Sequence, residues 1–431
     1  MSQILKKITH LFKKIHSRYI TFRGGTPHIS GTRDTATPQT REIIRETNNI
    51  DTVQDTALNI LCSNCASDNF VKRGKRKKKH ETVQLYLCRD CDRTFTSQSV
   101  KGRRFPLTII LEAITLYNLG YTLNQVSQLI QQKFNVKPKT STISDWQSRY
   151  EPLCRYSRLR SDIMTKFQID NLVEVTTMAH RQIYRFRYHR GKLDLILQER
   201  QHRYLRSLRD YLEEVPTDTP HQYFEQGLRI SDIRSPFDKA QLVIKGKHNY
   251  ANRLAELVLP TVRNNKDRHE AVQRFMLAND SVTVATEIPV YITQESISHL
   301  ENQLHFNVLT NDDGIKLKGQ RQKYKGRLLL TGHIDLIQVR NGVIHILDYK
   351  PQAARTKPIE QLTWYALALS RLTGLRLLDF KCAWFDEKEY FEFFPLHVVH
   401  KLKNKRRRKT VRYRSGERVT IPQEDKLTVV S

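Results

Sequence analysis

Two carboxylates and a lysine in the C-terminal half have the types and spacing of a site for phosphate chemistry. Asp348 and Lys350 are two residues apart in a predicted strand, so both side chains leave the same face of it. Asp335 lies on the other side of Asn341-Gly342, a strong hairpin-turn signal, and the turn can bring Asp335 and Asp348 toward one end of the hairpin. Two carboxylates suit Mg²⁺ or Mn²⁺, because these ions prefer oxygen ligands. We therefore expect a bound cation to activate water while Lys350 positions that water or offsets charge developing on a phosphate.

Four cysteines in two close pairs could hold a second kind of metal. Cys62, Cys65, Cys88 and Cys91 form the pattern C-x2-C-x22-C-x2-C. Each pair can aim two thiolates at one point, and the two pairs complete a tetrahedral four-sulfur site. A unit this short has little apolar core, so the metal would supply much of its folding free energy. The pattern predicts structural zinc, with an iron–sulfur cluster or a redox dithiol as the alternatives.

A run of basic residues separates the two cysteine pairs. We expect it to form a phosphate-contacting loop held against the metal knuckle, in which each phosphate neutralised would add roughly 0.9 to the slope of log K against log salt. A solvated loop, or a nuclear localisation signal in a eukaryotic host, is the alternative. The candidate DNA-binding residues of this run are Lys72, Arg73, Lys75, Arg76, Lys77, Lys78 and Lys79.

The following stretch has the apolar spacing of three short helices. The first is predicted from Leu107 to Leu119, and a capping-box signal at Thr122 opens the second. The third is predicted from Thr140 to Tyr150. Its expected inward residues are Ile143 and Trp146, and its polar face offers Ser141, Thr142, Asp145 and Arg149 to a DNA major groove. A plain three-helix bundle with a buried tryptophan is the alternative.

The charge of the chain predicts a polyanionic partner. Of 431 residues, 73 are Lys or Arg and 44 are Asp or Glu, which gives a net charge of +29. Such a charge concentrates polyanions near the protein, and nucleic acid is the commonest of them. An anionic membrane surface is the weaker alternative, because no stretch approaches the ~20 apolar residues of a spanning helix.

The N-terminal residues bear on location. Met1 to Phe22 alternates apolar and basic residues, which predicts an amphipathic basic helix without the continuous apolar run of a secretory signal. We therefore expect an intracellular protein, cytoplasmic and nucleoid-associated in a prokaryotic host or nuclear in a eukaryotic one. A mitochondrial presequence is the alternative. Paired cysteines in an intracellular chain favour metal binding over disulfides.

The cysteine unit and the three helices together resemble the zinc-ribbon and helix-turn-helix head of bacterial and archaeal transposases. The resemblance covers about Leu61 to Tyr150 and includes the two CxxC pairs, Phe95 after the second pair, and the Gly-Tyr-Thr entry to the middle helix. It implies sequence-specific recognition of the DNA of a mobile element. No DDE-type catalytic spacing follows it.

The C-terminal half resembles the PD-(D/E)XK nuclease superfamily, specifically the RecB-like branch that includes CRISPR-associated exonucleases. The matching elements, in the family's order, are His269-Glu270 on a predicted helix, Glu287 at the start of a strand, Gly332-x-x-Asp335, Asp348-x-Lys350 and Gln361-x-x-x-Tyr365. The resemblance implies an α/β restriction-endonuclease-like core that hydrolyses phosphodiesters with Mg²⁺ or Mn²⁺.

Roles at the site follow from this resemblance residue by residue. The implied cation ligands are Asp335, Asp348, His269 and Glu287, with the carbonyl of Tyr349; the implied catalytic lysine is Lys350; and the residues implied to hold substrate or water are Gln361 and Tyr365. The ordinary alternatives are a surface or packing histidine, a strand-edge glutamate and an Asp-Lys salt pair at a strand end. Thr293 to Lys325 lengthens the family's pattern and is expected to be a DNA-facing insertion. Cys382 is the one cysteine of the second half, so the iron–sulfur cluster of some RecB-like enzymes is not expected.

These patterns predict a multidomain protein, in which a small zinc ribbon and an all-α helix-turn-helix precede an α/β nuclease core. The predicted segments are a basic N-terminal segment and linker (1–56), the zinc ribbon (57–100), the helix-turn-helix (105–152), a basic helical connection (153–246), the nuclease domain (247–400) and a basic, disordered tail (401–431). We expect an endo- or exonuclease of a mobile element, virus or plasmid that binds DNA, with a homodimer as an option and no membrane partner. A DNA-binding regulator with an inactive nuclease fold and an RNA-processing nuclease are the rival functions.

Overall fold

The computed structural model describes residues 60–97 and 103–400, with short gaps at 236, 238–241, 263, 307, 309–314, 319–322 and 325, and three strands within 411–430. The amphipathic helix and linker expected in residues 1–56 lie outside the described residues, as does the basic run at 401–410. No helix among the described residues is both long enough and apolar enough to cross a membrane.

The described helices and strands form a small cysteine-bounded unit, a three-helix unit and a large α/β unit. The helices are α1 (Leu107–Asn118), α2 (Leu123–Phe134), α3 (Thr140–Tyr150), α4 (Ser157–Met164), α5 (Ile169–Leu172), α6 (Arg190–Gln198), α7 (Arg206–Asp218), α8 (His221–Gln226), α9 (Tyr250–Val258), α10 (Arg268–Asn279), α11 (Gln294–Asn302), α12 (Ile359–Thr373) and α13 (Leu396–Val399). The strands are β1 (Phe70–Lys77), β2 (Thr82–Cys88), β3 (Thr94–Phe95), β4 (Val173–Ala179), β5 (Ile183–His189), β6 (Leu228–Arg229), β7 (Ile233–Arg234), β8 (Ile244–Lys247), β9 (Thr283–Thr293), β10 (Ile315–Leu317), β11 (Lys323–Tyr324), β12 (Leu329–Arg340), β13 (Val343–Tyr349), β14 (Phe380–Phe385), β15 (Tyr390–Phe393), β16 (Val411–Arg414), β17 (Glu417–Thr420) and β18 (Val429–Val430).

The cysteine unit, residues 60–97, is a three-stranded antiparallel sheet in the order β1-β2-β3. Its small apolar core contains Tyr86 and Phe95, whose ring centroids are 5.4 Å apart, with Phe70 packed edge-on against them. The basic run does not form the loop that we expected. Most of it lies on the exposed strand β1, with a bulge between Lys72 and Lys75, because β2 supplies a ladder partner for this stretch.

The three-helix unit has the helices that the sequence predicts. Thr122 forms the predicted capping box at the start of α2: its side chain accepts a hydrogen bond from the Gln125 N–H, and the Gln125 side chain accepts one from the Thr122 N–H. Ile143 and Trp146 are buried, as expected from their spacing on α3. The unit packs directly on α10, and its apolar core is continuous with one face of the large sheet.

The large unit is built on a mixed sheet in the order β18-β8-β15-β14-β13-β12-β9-β5-β4, with β6 paired to β12. Successive residues of β13 enter different apolar clusters: Ile346 belongs to the cluster that includes α12, and Leu347 to the cluster that includes α10. A strand buried on both faces has a nearly continuous apolar sequence, as β13 has. This mixed α/β core is consistent with a restriction-endonuclease-like fold.

The predicted helical connection at 153–246 contains strands as well as helices. The hairpin β4–β5 extends the large sheet, and Arg187 and Tyr188 of β5 pair with Thr286 and Ala285 of β9. Aromatic residues alternate with arginines along β5, and such alternation is typical of a strand. The basic composition of this segment concealed the pattern in the sequence.

The C-terminal tail and the segment 293–325 both contain secondary structure that the sequence did not predict. The tail that we expected to be disordered contributes the antiparallel pair β16–β17, and β18 pairs in parallel with β8. In the segment 293–325, the described elements are α11, β10 and β11, and β10 pairs with β7. This segment therefore carries secondary structure of its own beside the large sheet.

Candidate active site

The β12–β13 hairpin carries two of the candidate carboxylates. Its turn has positive φ at Asn341 (53°) and Gly342 (74°), the backbone of a tight two-residue hairpin turn. The register that pairs Leu336 with Leu347 continues to place Asp335 opposite Asp348. Because directly opposed residues have Cβ atoms about 5 Å apart, the ladder itself holds the two carboxylates side by side.

A third carboxylate extends this row onto β9. The register of β9 with β12 pairs Ile288 with Ile334, and its continuation places Glu287 opposite Asp335. Glu287 has a φ of +52° in the middle of the strand, so the ladder is locally distorted there. We expected Glu287 to begin the strand, but β9 starts at Thr283. Glu287, Asp335 and Asp348 are called the carboxylate row below.

Asp348 is the most enclosed member of the carboxylate row. Its side chain is 3% exposed, and the Lys350 Nζ lies 2.9 Å from its Oδ2. Among the described residues, no backbone N–H or hydroxyl donates to either of its oxygens. Burial, and then the charge of Asp335, raise the pKa of Asp348 well above its usual range. A buried carboxylate with so few donors suits a cation as its partner.

Lys350 supplies positive charge at the same place. Burial would lower the pKa of Lys350, but the nearby Asp348 and Asp335 outweigh burial, and the net effect raises that pKa. The ammonium therefore stays charged beside the carboxylates. Lys350 directly follows the last residue of β13, and its side chain lies beside that of Asp348, as the two-residue strand period predicted.

Asp335 connects the hairpin with α10. The Tyr349 N–H donates a hydrogen bond of 3.2 Å to the Asp335 Oδ2, and the His269 Nε2 lies 4.0 Å from the same oxygen. Burial, and then the charge of Glu287, raise the pKa of Asp335. The histidine and the backbone of the hairpin thus meet at one carboxylate oxygen.

One face of α10 points toward the carboxylate row. His269 and Gln273 are four residues apart on this helix, so they share a face. The His269 ring meets the Tyr349 ring edge-on with centroids 5.0 Å apart, and burial, followed by the charge of Lys350, lowers the pKa of His269. The Gln273 Nε2 donates to the Glu287 Oε1 at 2.5 Å, and burial raises the pKa of Glu287 to about 6.

The helix α12 supplies the remaining predicted pair. The Gln361 Nε2 donates to the Tyr365 Oη at 2.9 Å, across one turn of the helix. Tyr365 packs against β12 at Gly332, where an added Cβ would lie only 2.5 Å from the Tyr365 Cε1. The glycine in the Gly332-x-x-Asp335 element therefore provides room for the tyrosine beside the carboxylate row.

The four cysteines form a separate and tighter cluster. The Cys62 and Cys91 Sγ atoms are 3.7 Å apart, the Cys65 and Cys88 Sγ atoms are 3.5 Å apart, and all four lie within 4.8 Å of one another. This arrangement is compatible with a structural zinc ion. Within the described residues, no other group of three or more His, Cys, Asp or Glu side chains is this close, so the carboxylate row is more open than the cysteine cluster.

The candidate DNA-contacting residues lie on two surfaces. On β1 and the turn after it, all seven basic residues except Lys78 are exposed, and Lys78 is 3.6 Å from Glu81. On α3, Ser141 and Arg149 are exposed, and Thr142 is half-buried. The cysteine unit and the three-helix unit contact each other where His80 stacks on Phe105 with ring centroids 5.1 Å apart.

Sequence reasoning missed several residues around the carboxylate row. Gln273 could have been found from its spacing of four residues after His269. Arg185 and Arg187 were also missed, because both lie on the unpredicted strand β5. They donate hydrogen bonds to Glu270 at 2.8 and 2.6 Å. These contacts depend on sheet order, which no local pattern in the chain indicates.

Residues 202–388 match the family model described as the PD-(D/E)XK nuclease superfamily. The chain therefore contains a domain of this superfamily, and the matched range includes the carboxylate row, Lys350, Gln361 and Tyr365. No curated protein and no solved structure matched the chain.

Proposed function

We propose that this protein is a metal-dependent DNA nuclease of the RecB-like branch, with its cysteine unit and three helices serving as a zinc ribbon and a helix-turn-helix that direct it to DNA. The observation that carries the proposal is the buried Asp348 carboxylate, opposite Asp335 and 2.9 Å from the Lys350 Nζ. Proteins of this superfamily generally use divalent cations to act on nucleic acids, and the acidic row offers the oxygen ligands that such ions prefer.

The proposed cation site fits the donors that are present. Asp335 and Asp348 would hold the ion, with Glu287 as a third oxygen ligand and His269 at the rim. When bound there, Mg²⁺ or Mn²⁺ would polarise the phosphate and lower the pKa of a water molecule. The ion would also give Asp348 a second positive partner beside Lys350, where no backbone N–H or hydroxyl of the described residues donates to it.

The side chains around the ion would have distinct tasks. Lys350 would stabilise negative charge as it develops on the phosphate, an effect that is strong in a site shielded from water. Gln361 and Tyr365 are bonded to each other at 2.9 Å, so they would present a fixed polar edge to substrate or water. Gln273 would hold Glu287 in its unusual backbone conformation.

The proposal of a nucleic-acid substrate rests on charge as well as on the site. The net charge of +29 and the exposed lysines and arginines of β1 favour a long polyanion. A mobile element, virus or plasmid is the proposed source, on the transposase-like pattern of residues 61–150. The exposed side chains Ser141 and Arg149 of α3 are the proposed contacts to base edges.

Cleavage by the full chain tests the proposal. We expect Mg²⁺ or Mn²⁺ to support cleavage of circular or linear DNA, and Lys350→Ala to lower kcat by about 10²–10³ because its charge acts chiefly in the transition state. DNA binding should survive this substitution in a gel-shift assay. Lys166→Ala is the matched control, because Lys166 is half-exposed in a surface ion pair with Asp194 at 3.8 Å.

Each contrary outcome has a clear meaning. DNA that remains uncut with either ion, in a preparation that still binds it, would favour a regulator with an inactive nuclease fold. Cleavage of matched RNA without cleavage of DNA would favour an RNA-processing nuclease. A folded Lys350→Ala protein that cuts at the wild-type rate would show that the active site lies elsewhere.

A further inference from the structure

The hairpin β4–β5, which precedes the matched range 202–388, brings a tyrosine to the carboxylate row. The ring of Tyr184 on β5 stacks on His333 with centroids 3.5 Å apart and an interplanar angle of 7°. His333 is two residues before Asp335 on β12. Two residues of strand span about 6–7 Å, which sets the distance between this aromatic stack and the row.

The Tyr184 ring is held in place on several sides. The Arg229 Nη2 lies 2.7 Å from the Tyr184 Oη, and the His333 Nε2 lies 2.9 Å from the His180 Nδ1. His180 in turn stacks on Phe224, with centroids 4.0 Å apart. Side chains fixed in this way form a rigid surface, which needs little further ordering when a ligand binds.

Tyr184 differs from the structural tyrosine on the same strand. Tyr188 is completely buried, whereas Tyr184 is half-buried and keeps part of its surface accessible. Burial raises the pKa of Tyr184, the nearby Arg229 opposes this, and Glu287 and Asp335 also raise it, which is a sign of how close the phenol lies to the row. One ring face is covered by His333, and the rest of the side chain keeps part of its surface accessible.

We propose that Tyr184 is a stacking platform for an unpaired nucleobase next to the scissile phosphate, with Arg229 holding the phenol in position. The inference rests on the proposed nuclease function and adds a nucleotide subsite to it. Bases rise about 3.4 Å per nucleotide along a stacked strand. A base one or two nucleotides from a phosphate at the carboxylate row therefore reaches the distance at which the aromatic stack lies. Bases stack on such side chains whatever their identity, because each base has a π-face.

Variants of Tyr184 test the subsite through binding and kinetics. The substrates are a single-stranded oligodeoxynucleotide and the same strand fully paired with its complement. Tyr184→Ala should raise KM for the single strand between about fivefold and about a hundredfold, with little change in kcat, because stacking contributes to binding. Tyr184→Phe keeps the ring and should stay close to wild type. The effect on the paired strand should be smaller, because its bases already stack on one another.

Tyr204→Ala is the matched control. Tyr204 is 47% exposed, and its hydroxyl bonds to the Gly342 carbonyl at the turn of the β12–β13 hairpin, the end away from the carboxylate row. Its removal should leave KM unchanged. Thermal melting of all three variants shows whether they fold. An Ala variant at position 184 that folds and keeps the wild-type KM would overturn the subsite, as would a Phe variant that loses as much binding as the Ala variant.

A second measurement separates this inference from the proposed function. Oligodeoxynucleotides that carry 2-aminopurine at successive positions are bound without divalent cation, so no cleavage is needed. Stacking should quench one position in wild type and in Tyr184→Phe but not in Tyr184→Ala. If wild type never cuts DNA but this pattern appears, the nuclease proposal fails and the subsite stands. If wild type cuts DNA and no position depends on Tyr184, the subsite alone fails.

Discussion

The cysteine unit and the large α/β unit hold their functional residues in place by different means. In the cysteine unit, the buried apolar core consists of Cys62, Tyr86, Cys88 and Phe95, and two of these four are candidate metal ligands. In the large unit, apolar clusters cover both faces of the sheet, and the carboxylate row is set by strand register within them. We infer that the first unit depends on a metal for its fold, whereas the second has its site built by a fold that stands without one.

This difference has a physical basis in size. Burial of apolar surface supplies roughly 25 cal/mol per Å², and a unit with so small a buried core gains little from it. The large unit can instead accommodate buried polar and charged groups, including the fully buried Lys192 and the enclosed Asp348. We therefore expect metal removal to unfold the cysteine unit and spare the large unit. Changes in the buried core of the large unit should have the opposite effect.

The largest expected effect is the loss of the cysteine unit when zinc is removed. Structural zinc contributes about 10–16 kcal/mol of apparent binding free energy in small zinc-dependent units, so a chelator or Cys88→Ser should unfold residues 60–97. Hydrogen exchange should show that amides of β1 and β2 lose their protection. Amides of β12 and β13 should keep theirs, because the cysteine ligands pack in a core of their own.

Elemental analysis provides the control for this experiment. One zinc ion per chain is expected, and Cys154→Ala should leave that ratio unchanged because Cys154 lies in the core that α1–α3 share with the large sheet. Protection of β1 and β2 that persists after all metal has been removed would contradict the comparison. Iron in the purified protein would indicate an iron–sulfur cluster instead of zinc.

The buried amine of Lys192 should make the free energy of unfolding of the large unit change with pH in the alkaline range. Lys192 on α6 is fully buried, and its Nζ donates to the carbonyls of Leu277 and Thr283 at 2.6 and 2.9 Å. Burial lowers its pKa to about 8 from 10.5, although Asp280, 3.6 Å away, opposes the shift. Between pH 8 and 10.5 the unfolded chain therefore binds more protons than the folded one, so this lysine's contribution to stability rises with pH.

The magnitude follows from the size of the shift. A pKa that falls from 10.5 to about 8 corresponds to about 3 kcal/mol, so the free energy of unfolding of wild type should gain this much relative to Lys192→Met between pH 8 and 10.5. Denaturant titrations of both proteins across this range measure the difference. Lys166→Met, at an exposed position, is the control and should run parallel to wild type. A constant gap between wild type and Lys192→Met would mean that the buried amine does not change its proton occupancy on folding.

Local patterns predicted much of the candidate site but little of its surroundings. The Asn341-Gly342 turn and the apolar runs beside it determine the hairpin, and the two-residue strand period predicts the Lys350 side chain beside Asp348. The capping box at Thr122 and the inward face of α3 were likewise predictable, because both depend on residues a few positions apart.

The missed features depend on partners distant in sequence. Tyr184 contacts His333 of β12 across a sheet in which β5 pairs with β9, and the arginines of β5 concealed its strand period. The positive φ of Glu287 has no sequence signal, since glutamate seldom adopts it, and the contact with Gln273 that accompanies it is a tertiary one. The basic run on β1 resembled a loop because the pairing of β1 with β2 cannot be seen in its composition.

The smallest expected effect concerns the three-helix unit, which shares an apolar core with the large unit. Asn118 on α1 donates to the Asn279 Oδ1 at the end of α10 at 2.8 Å, and the Asn279 Nδ2 donates to the Thr115 Oγ1 at 2.9 Å. Asn118 and Asn279 are both fully buried. Asn118→Ala leaves the Asn279 oxygen without this donor, which should cost about 1–3 kcal/mol.

Hydrogen exchange in the Asn118→Ala variant shows whether the three helices unfold together with the sheet or separately from it. A shared core predicts that Asn118→Ala shifts one cooperative transition, so that hydrogen exchange in α3 and in β12–β13 weakens to the same extent. Asn124→Ala, at an exposed position in the first turn of α2, should change neither. Earlier opening of α1–α3, with β12–β13 still protected, would show that these helices unfold separately from the large sheet. Because α10 carries Asn279 at one end and His269 at the other, joint unfolding would also mean that α1–α3 and the carboxylate row share one rigid support.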